Sequence, residues 1–431
     1  MNKLFSILSI AIMLVAVTSC SDENDLKIPE KNSPQTEFSN PIVEAARNAY
    51  QLCYGSTSRS GAVFYASDVV GVTHIKSRAS SADTVFYIVN AIDGNGFVAL
   101  TNEKYPEILA VSDLGTIKDI EDVDNPGLKM FLDEATDYAA QKIISGPIIP
   151  EGPETPFPLM KIETAKNERH QDPLCETQWG QYYPEGLYCP NHYCGCVVTA
   201  TAQTLSYFKV PMSINLTYPN ADKSQIDIDW QSMIDTVSSQ SRFDYLINMK
   251  PRPEYQRNVE YNLGRLCREL GYRMDADYQQ NGTGISLDSM ASTVKKLCPS
   301  LKVEGRFYGT PILKLLNEKS IVIMQGTDSK NQANNNVDVV HAWVVDGYIT
   351  AIDYYNVYYY DSELKDYVLS PEESYQRQTD LQHYNWGWNG QCNGYFNLGV
   401  FKTNSPDIPD TDSNSTNYDF DTQFSYFVIK K

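Results

Sequence analysis

Two rhythms of apolar residues run along this chain, one of helical period and one of strand period. Between 196 and 208, Val197, Ala200, Thr201, Leu205 and Phe208 recur at three- and four-residue steps. One face of a helix can therefore bury, and Pro211 closes the pattern. Helical spacing also marks Ile42 to Cys53, Leu128 to Ile144, Trp230 to Val237, Asn258 to Gly271 and Ser286 to Leu297. Clusters of β-branched and aromatic residues predict strands at Phe64, Val69 to Val72, Thr84 to Asn90, Phe97 to Leu100 and Ile108 to Ser112, with Gly94-Asn95-Gly96 as a hairpin turn. Toward the C-terminus strand signals dominate: Val322 to Met324, Ala342 to Val345, Tyr354 to Tyr360, Tyr395 to Leu398 and Phe424 to Ile429. Helices early and strands late in this larger part predict an α+β domain with a helical side packed on a sheet. Tyr354 to Tyr360, five tyrosines in seven residues, reads as an exposed hairpin or a contact surface.

The chain's punctuation divides it. Lys3 precedes the apolar run Leu4 to Val17, which is too short to be a comfortable membrane span and reads as a processing segment. Val17-Thr18-Ser19-Cys20 resembles the lipobox of bacterial lipoproteins, with Cys20 as the acylated residue. Ser21 to Asp25 resembles the acidic tag that follows this cysteine in some surface-displayed lipoproteins of Gram-negative bacteria. An ordinary cleaved signal followed by a stray cysteine is the alternative. Residues 145–158 hold five prolines and two glycines in fourteen positions, which neither a helix nor a central strand tolerates. Exposed linkers are where proteases cut, although a plain spacer has the same composition. The expected organisation is a signal peptide at 1–19, a polar tether at 20–40, a small α+β unit at 41–145, a Pro-rich linker at 146–169 and a larger unit at 170–431.

Charge and cysteine usage narrow the partners. Thirty-five basic against 54 acidic residues give a formal net charge of −19, which argues against nucleic acid and against an anionic membrane surface. Nothing after the leader is long and apolar enough to span a bilayer, so a lipid anchor is the expected membrane contact. Nine cysteines less Cys20 leave eight, which an exported protein can pair. A free nucleophile would leave seven, and full pairing is then ruled out.

Cys196 falls at the start of the predicted 196–208 helix, where the helix dipole and unpaired backbone N–H groups favour thiolate. It is a candidate nucleophile; the plain alternative is an inert cysteine packing the helix start. A catalytic thiol needs an imidazole and a group to orient it. Of five histidines, His341 opens the apolar strand around Val339 to Val345, where a titratable ring is costly unless paired. A lone strand histidine is more often a satisfied core residue, but this one stands 145 positions after Cys196 (341 minus 196), inside the roughly 130–150 window for papain-like Cys and His. In His383-Tyr384-Asn385-Trp386-Gly387-Trp388-Asn389-Gly390, Asn385 can accept from the imidazole N–H and fix its tautomer, with Trp386 shielding that contact. The same stretch also reads as a tryptophan-rich hairpin with a turn asparagine. The side-chain amide of Gln181, with the backbone N–H of Cys196, would make an oxyanion hole.

Taken together, Trp-x-Gln ending at Gln181, Gly-Cys-Val-x-Thr-Ala-x-Ala-Gln at 195–203, His-Ala-x-Val-x-Asp-Gly at 341–347 and His-x-Asn-Trp-Gly-Trp-x-Gly at 383–390 resemble the streptopain family of papain-like cysteine peptidases. Leu270 to Tyr272, Asp277-Tyr278 and Gly282-Thr283-Gly284 are similar to that family too, and Tyr87 to Ser112 resembles its propeptide. The resemblance covers about residues 60–400. It implies a papain-like α+β fold preceded by a small α+β propeptide domain, and a zymogen whose first unit blocks the cleft until cut near the linker. It also implies a catalytic set of Cys196, His341, Asn385 and Gln181, with Gly195, Val340, Trp386 and Trp388 binding substrate or shielding the site.

Three departures matter. Val340 stands where a small residue is expected, which would narrow the cleft. Forty-four positions separate His341 from Asn385, enough for a flap. Cys189 to Cys196 packs three cysteines and a histidine into eight residues; the spacing is odd for zinc, and a Cys194 pairing that leaves Cys196 free is the preferred reading. Neither cofactor nor metal is expected. The expected partners are protein or peptide substrates and the chain's own propeptide, with no nucleic acid. Two rivals stay open: a transglutaminase-like acyl transferase, which normally has an acid in the third position, and a surface lipoprotein that only binds.

Overall fold

The computed structural model describes residues 40–55, 62–74, 83–102, 106–145, 160–237, 253–280, 282–307, 312–328, 339–361, 363–364, 366–401 and 422–431. The leader with Cys20 and the proline-rich segment 146–159 lie outside these residues. Asn40–Lys431 is one compact unit.

The N-terminal part follows from local rules. Helix α1 (Pro41–Tyr54) has proline in its first turn, and the Asn40 side chain accepts from the Ile42 N–H at 3.1 Å, which fixes the helix start. Strands β1 (Phe64–His74), β2 (Asp83–Ala91), β3 (Phe97–Thr101) and β4 (Ile108–Ser112) form an antiparallel meander. Helix α2 (Pro126–Ser145) crosses one of its faces. Alternation along β3 explains why all five of its residues are buried: Phe97 and Ala99 join the core under α2, while Val98 and Leu100 join the core under α1.

The larger part supplies β5 (Met160–Gln171), α3 (Cys196–Phe208), β6 (Ser213–Asn215), β7 (Gln225–Asp227), α4 (Trp230–Thr236) and α5 (Glu254–Arg273). There follow β8 (Asp277–Gln279), β9 (Gly282–Gly284), α6 (Leu287–Leu297), β10 (Lys302–Phe307) and α7 (Ile312–Asn317). The chain closes with β11 (Ile321–Asp328), β12 (Val339–Asp361), β13 (Asp366–Asn385), β14 (Gly394–Asn397) and β15 (Thr422–Lys430). Among the described residues eleven strands form one sheet, in the order β1-β2-β3-β4-β14-β13-β12-β11-β15-β10, with β5 added alongside β12. This is the expected α+β class, with helices packed on a mostly antiparallel sheet.

Two features differ from the sequence reading. The expected propeptide and peptidase units share a sheet: β4 pairs with β14 through Ser112↔Gly394, Val111↔Tyr395 and Ala110↔Phe396. The end of the expected 146–169 linker is a strand, since residues 160–171 pair with Tyr348–Tyr359 along the edge of β12 that β11 leaves free. That segment is rich in charge and carries little strand signal, so pairing rather than propensity makes it extended. The tyrosine-rich stretch and the long insertion are one feature: β12 and β13 continue as a ribbon out to Asp361↔Asp366.

Candidate active site

Cys196 is the first residue of α3. Gly195 caps it at φ +93°, and a side chain there would come within 3.0 Å of the Thr283 Cβ and 3.1 Å of the Thr283 carbonyl oxygen. Only glycine suits both the positive φ and the approach of β9. The Cys196 sulfur, half-buried, lies against the backbone N–H groups of Ala342, Val197 and Cys196 itself. These contacts favour thiolate, as the helix-start position predicts. Burial outweighs them and pushes the thiol above its ordinary pKa.

His341 is the neighbour of Ala342 on β12, so the backbone brings the two motifs together, but its ring faces the other way. Successive strand residues point to opposite faces: Ala342 and Val344 belong to the core under α3, whereas Trp343 and Val345 belong to the core under α2. The imidazole stacks beside Trp343 and meets Trp388 edge-on, both with centroids 6.2 Å away. Its Nε2 bonds the Trp386 carbonyl oxygen at 2.9 Å; a carbonyl only accepts, so the proton is on Nε2. Burial lowers the ring's pKa to about 4, against the raising effect of that carbonyl. Among the described residues no hydrogen bond joins the ring to the Cys196 thiol. Both groups are neutral near pH 7.

Asn385 does not orient His341 in this state. Its Nδ2 donates to the Thr177 carbonyl at 2.8 Å and its Oδ1 accepts from the Gly387 N–H at 3.2 Å. Gln181 is 2% exposed, and neither atom of its side-chain amide has a hydrogen-bond partner among the described residues. Its backbone carbonyl accepts from the Cys194 N–H at 2.8 Å, which ties it to the loop before α3. Trp386 is fully buried, packed tilted against Trp343 and edge-on against Tyr384 and Phe396, with its indole N–H on the Cys392 carbonyl at 3.1 Å. Trp388 is half-buried beside His341, and Val340 stands 43% exposed.

What covers the His341 ring on that face is the start of α2. The Asn125 side chain caps that helix, accepting from Gly127 at 3.1 Å and Leu128 at 3.2 Å. Gly127 rests on the site: a Cβ there would fall 2.6 Å from the His341 Cδ2 and 2.6 Å from the Trp386 Cε3. Asn125-Pro126-Gly127 is legible in sequence as a helix start, but its target on the sheet is not.

The eight described cysteines after the leader are all free. Cys194 is unbridged; its thiol meets the Cys267 thiol in hydrogen-bond contact. The preferred Cys194 pairing is not formed: Cys194 turns inward to the Thr199 hydroxyl at 3.3 Å and lies beside Cys267 of α5, with both thiols free. Among the described residues no group of three or more His, Cys, Asp or Glu is arranged to hold a metal ion. A buried pair that the sequence reading passed over, His383 Nδ1 on Asp346 Oδ1 at 2.7 Å, pins β12 to β13 below the site. The second Asp346 carboxylate oxygen accepts from the Cys175 N–H at 2.7 Å.

A cysteine at a helix start, a histidine on the neighbouring strand, an Asn-Trp turn and a buried glutamine define a cysteine-hydrolase type of site. The model of the Peptidase C10 family matches residues 176–396, half of the chain, and the chain belongs to that family. Among curated proteins it is similar to the thiol protease/hemagglutinin PrtT of Porphyromonas gingivalis, 21% identical over 354 residues, covering 77% of this chain and 36% of that protein. The chain thus spans about a third of that relative's length. Among solved structures it is similar to the active wild-type interpain A cysteine protease of Prevotella intermedia, at 20% identity and a TM-score of 0.36, covering 61% of this chain and 94% of the other.

Proposed function

We propose that this protein is a cysteine endopeptidase made as a latent precursor. The observation that carries the reading is the Cys196 sulfur at the start of α3, against the N–H next to His341, with Gln181 tied through its backbone carbonyl to the loop before α3 and its buried side-chain amide without a partner among the described residues. In the active form the ring turns to the cleft and its Nε2–H passes from the Trp386 carbonyl to the neighbouring Asn385 Oδ1. Its Nδ1 then takes the thiol proton. The thiolate attacks the peptide carbonyl, Gln181 and the Cys196 N–H hold the oxyanion, and the imidazolium protonates the leaving amine. Water then hydrolyses the thioester, with His341 as base.

Latency has a physical basis in the same contacts. With α2 seated, the imidazole is neutral, held elsewhere and unable to stabilise a thiolate, while burial keeps Cys196 protonated. Cleavage in 146–159 would free residues 41–145 to leave, with β5 staying on the peptidase through its pairing with β12. Export and acylation at Cys20 belong to this reading on the leader's sequence alone. Asn385, where a transglutaminase-like enzyme would carry an acid, favours hydrolysis over acyl transfer.

The test is to incubate the full chain and its Cys196→Ala variant, then follow casein cleavage and the new N-terminus by mass spectrometry. Cleavage between residues 145 and 160 together with casein hydrolysis, both in the wild type alone, is the expected result. Casein hydrolysis by Cys196→Ala would end the peptidase reading. Processing of the two chains at equal rates would leave the peptidase but remove self-activation.

A further inference from the structure

The segment from Thr177 to Glu185 has no regular secondary structure, yet its core-facing residues are buried. A loop of that kind must be fixed by specific bonds, and around Gln181 three successive peptide units are each held. The Gly180 N–H donates to Glu185 Oε1 at 2.9 Å. The Gly180 carbonyl, in the peptide that leads into Gln181, accepts from the Thr199 hydroxyl at 2.8 Å. The Gln181 carbonyl, in the peptide that leaves it, accepts from the Cys194 N–H at 2.8 Å. The planes of the two peptides flanking a residue fix its φ and ψ, so Thr199 and Cys194 between them set the backbone of Gln181.

Thr199 stands out because it touches the Gln181 loop, the loop before Cys196 and the turn after Asn385. It lies on α3, three residues after Cys196. Its hydroxyl meets Gly180 and also the Gly195 carbonyl at 3.1 Å and the Cys194 sulfur at 3.3 Å. Its methyl carbon is what a Cβ on Gly387 would meet at 3.0 Å, in the turn after Asn385 and Trp386. A serine keeps the hydroxyl and loses the methyl; a valine keeps the shape and loses the donor.

We propose that Thr199 is a positioning residue for catalysis: its hydroxyl locks the Gly180–Gln181 peptide to the helix that carries Cys196, so that the Gln181 amide is aimed at the oxyanion before substrate arrives. The inference rests on the reading of Gln181 as the oxyanion donor. Misplacement of a catalytic group by about 1 Å costs roughly 10²-fold, so the hydroxyl is felt in turnover and not in substrate binding.

In processed enzyme, Thr199→Val is expected to lower kcat roughly ten- to a hundredfold with KM within about twofold, and Thr199→Ser to recover most of the loss. Affinity for a peptide aldehyde, whose hemithioacetal oxygen occupies the hole, should fall in parallel. Alkylation of Cys196 by iodoacetamide should be unchanged, which also reports an intact fold. The double variant Gln181→Ala/Thr199→Val should be no slower than Gln181→Ala alone, since Thr199 acts through Gln181. An unchanged kcat in Thr199→Val, or losses that multiply in the double variant, overturns the positioning role while Gln181 keeps its own. An unaffected Gln181→Ala overturns the oxyanion reading and this inference with it. If Thr199→Val does not fold, Thr199→Ala against Thr199→Ser makes the same comparison.

Discussion

The two sides of β12 make opposite use of the same strand. On the α3 side, Ala342 and Val344 pack on a helix whose first residue is Cys196, and the Gln181 backbone is bonded in place while its side-chain amide has no partner among the described residues. On the α2 side, Trp343 and Val345 pack under a helix start that holds the His341 ring on the Trp386 carbonyl. On the proposed reading the first side is the one prepared for chemistry and the second is the one released, so latency would need no distortion around Cys196, only His341 kept on the far face of its strand.

The largest test of this contrast is removal of a group from the prepared side. Cys196→Ala should abolish peptidase activity, by a factor on the order of 10⁵ or more in kcat, measured on casein or a peptide substrate with processed enzyme. Gln181→Ala should follow with a loss of roughly 10²–10³ in kcat and little change in KM; a change confined to KM would count against an oxyanion role.

A substitution on the other side should work in the opposite sense. Gly127→Leu places carbon where His341 and Trp386 already stand, so α2 must back away. The precursor should lose about 1–3 kcal/mol of stability and process faster than wild type. Slower processing, at a matched drop in melting temperature, would show that α2 does not restrain His341.

The smallest expected effect, taken per pH unit, is a pH dependence. The wedged imidazole has a pKa of about 4, against about 6.5 for a solvated one. Above about pH 6.5 both forms are neutral and the wedged state keeps its full advantage. As pH falls from there toward about 4 the released state binds a proton that the wedged state cannot. Latency therefore weakens by at most about 1.4 kcal/mol per pH unit and levels off below about pH 4. Melting curves of the Cys196→Ala precursor, with and without His341→Gln, isolate this one proton; identical pH slopes for the two would remove His341 as its source.

Much of this molecule was legible in its residues. The helix at 196–208 starts and stops where its apolar steps and Pro211 place it, because local period and capping decide it. Gln181, Cys196, His341 and Asn385 were also readable as one candidate set, since their motifs are dense and ordered, but the His341 ring lies on the face of β12 away from α3. Tertiary structure decided the rest. The strand at 160–171 exists because β12 has an open edge, not because of its own propensity. The thiol is held protonated although its helix start favours thiolate, because burial depends on what packs over it. Which face of β12 carries the imidazole follows from strand parity, but what waits there, the capped start of a helix some 200 residues earlier in the chain, is set by long-range packing that no local pattern encodes.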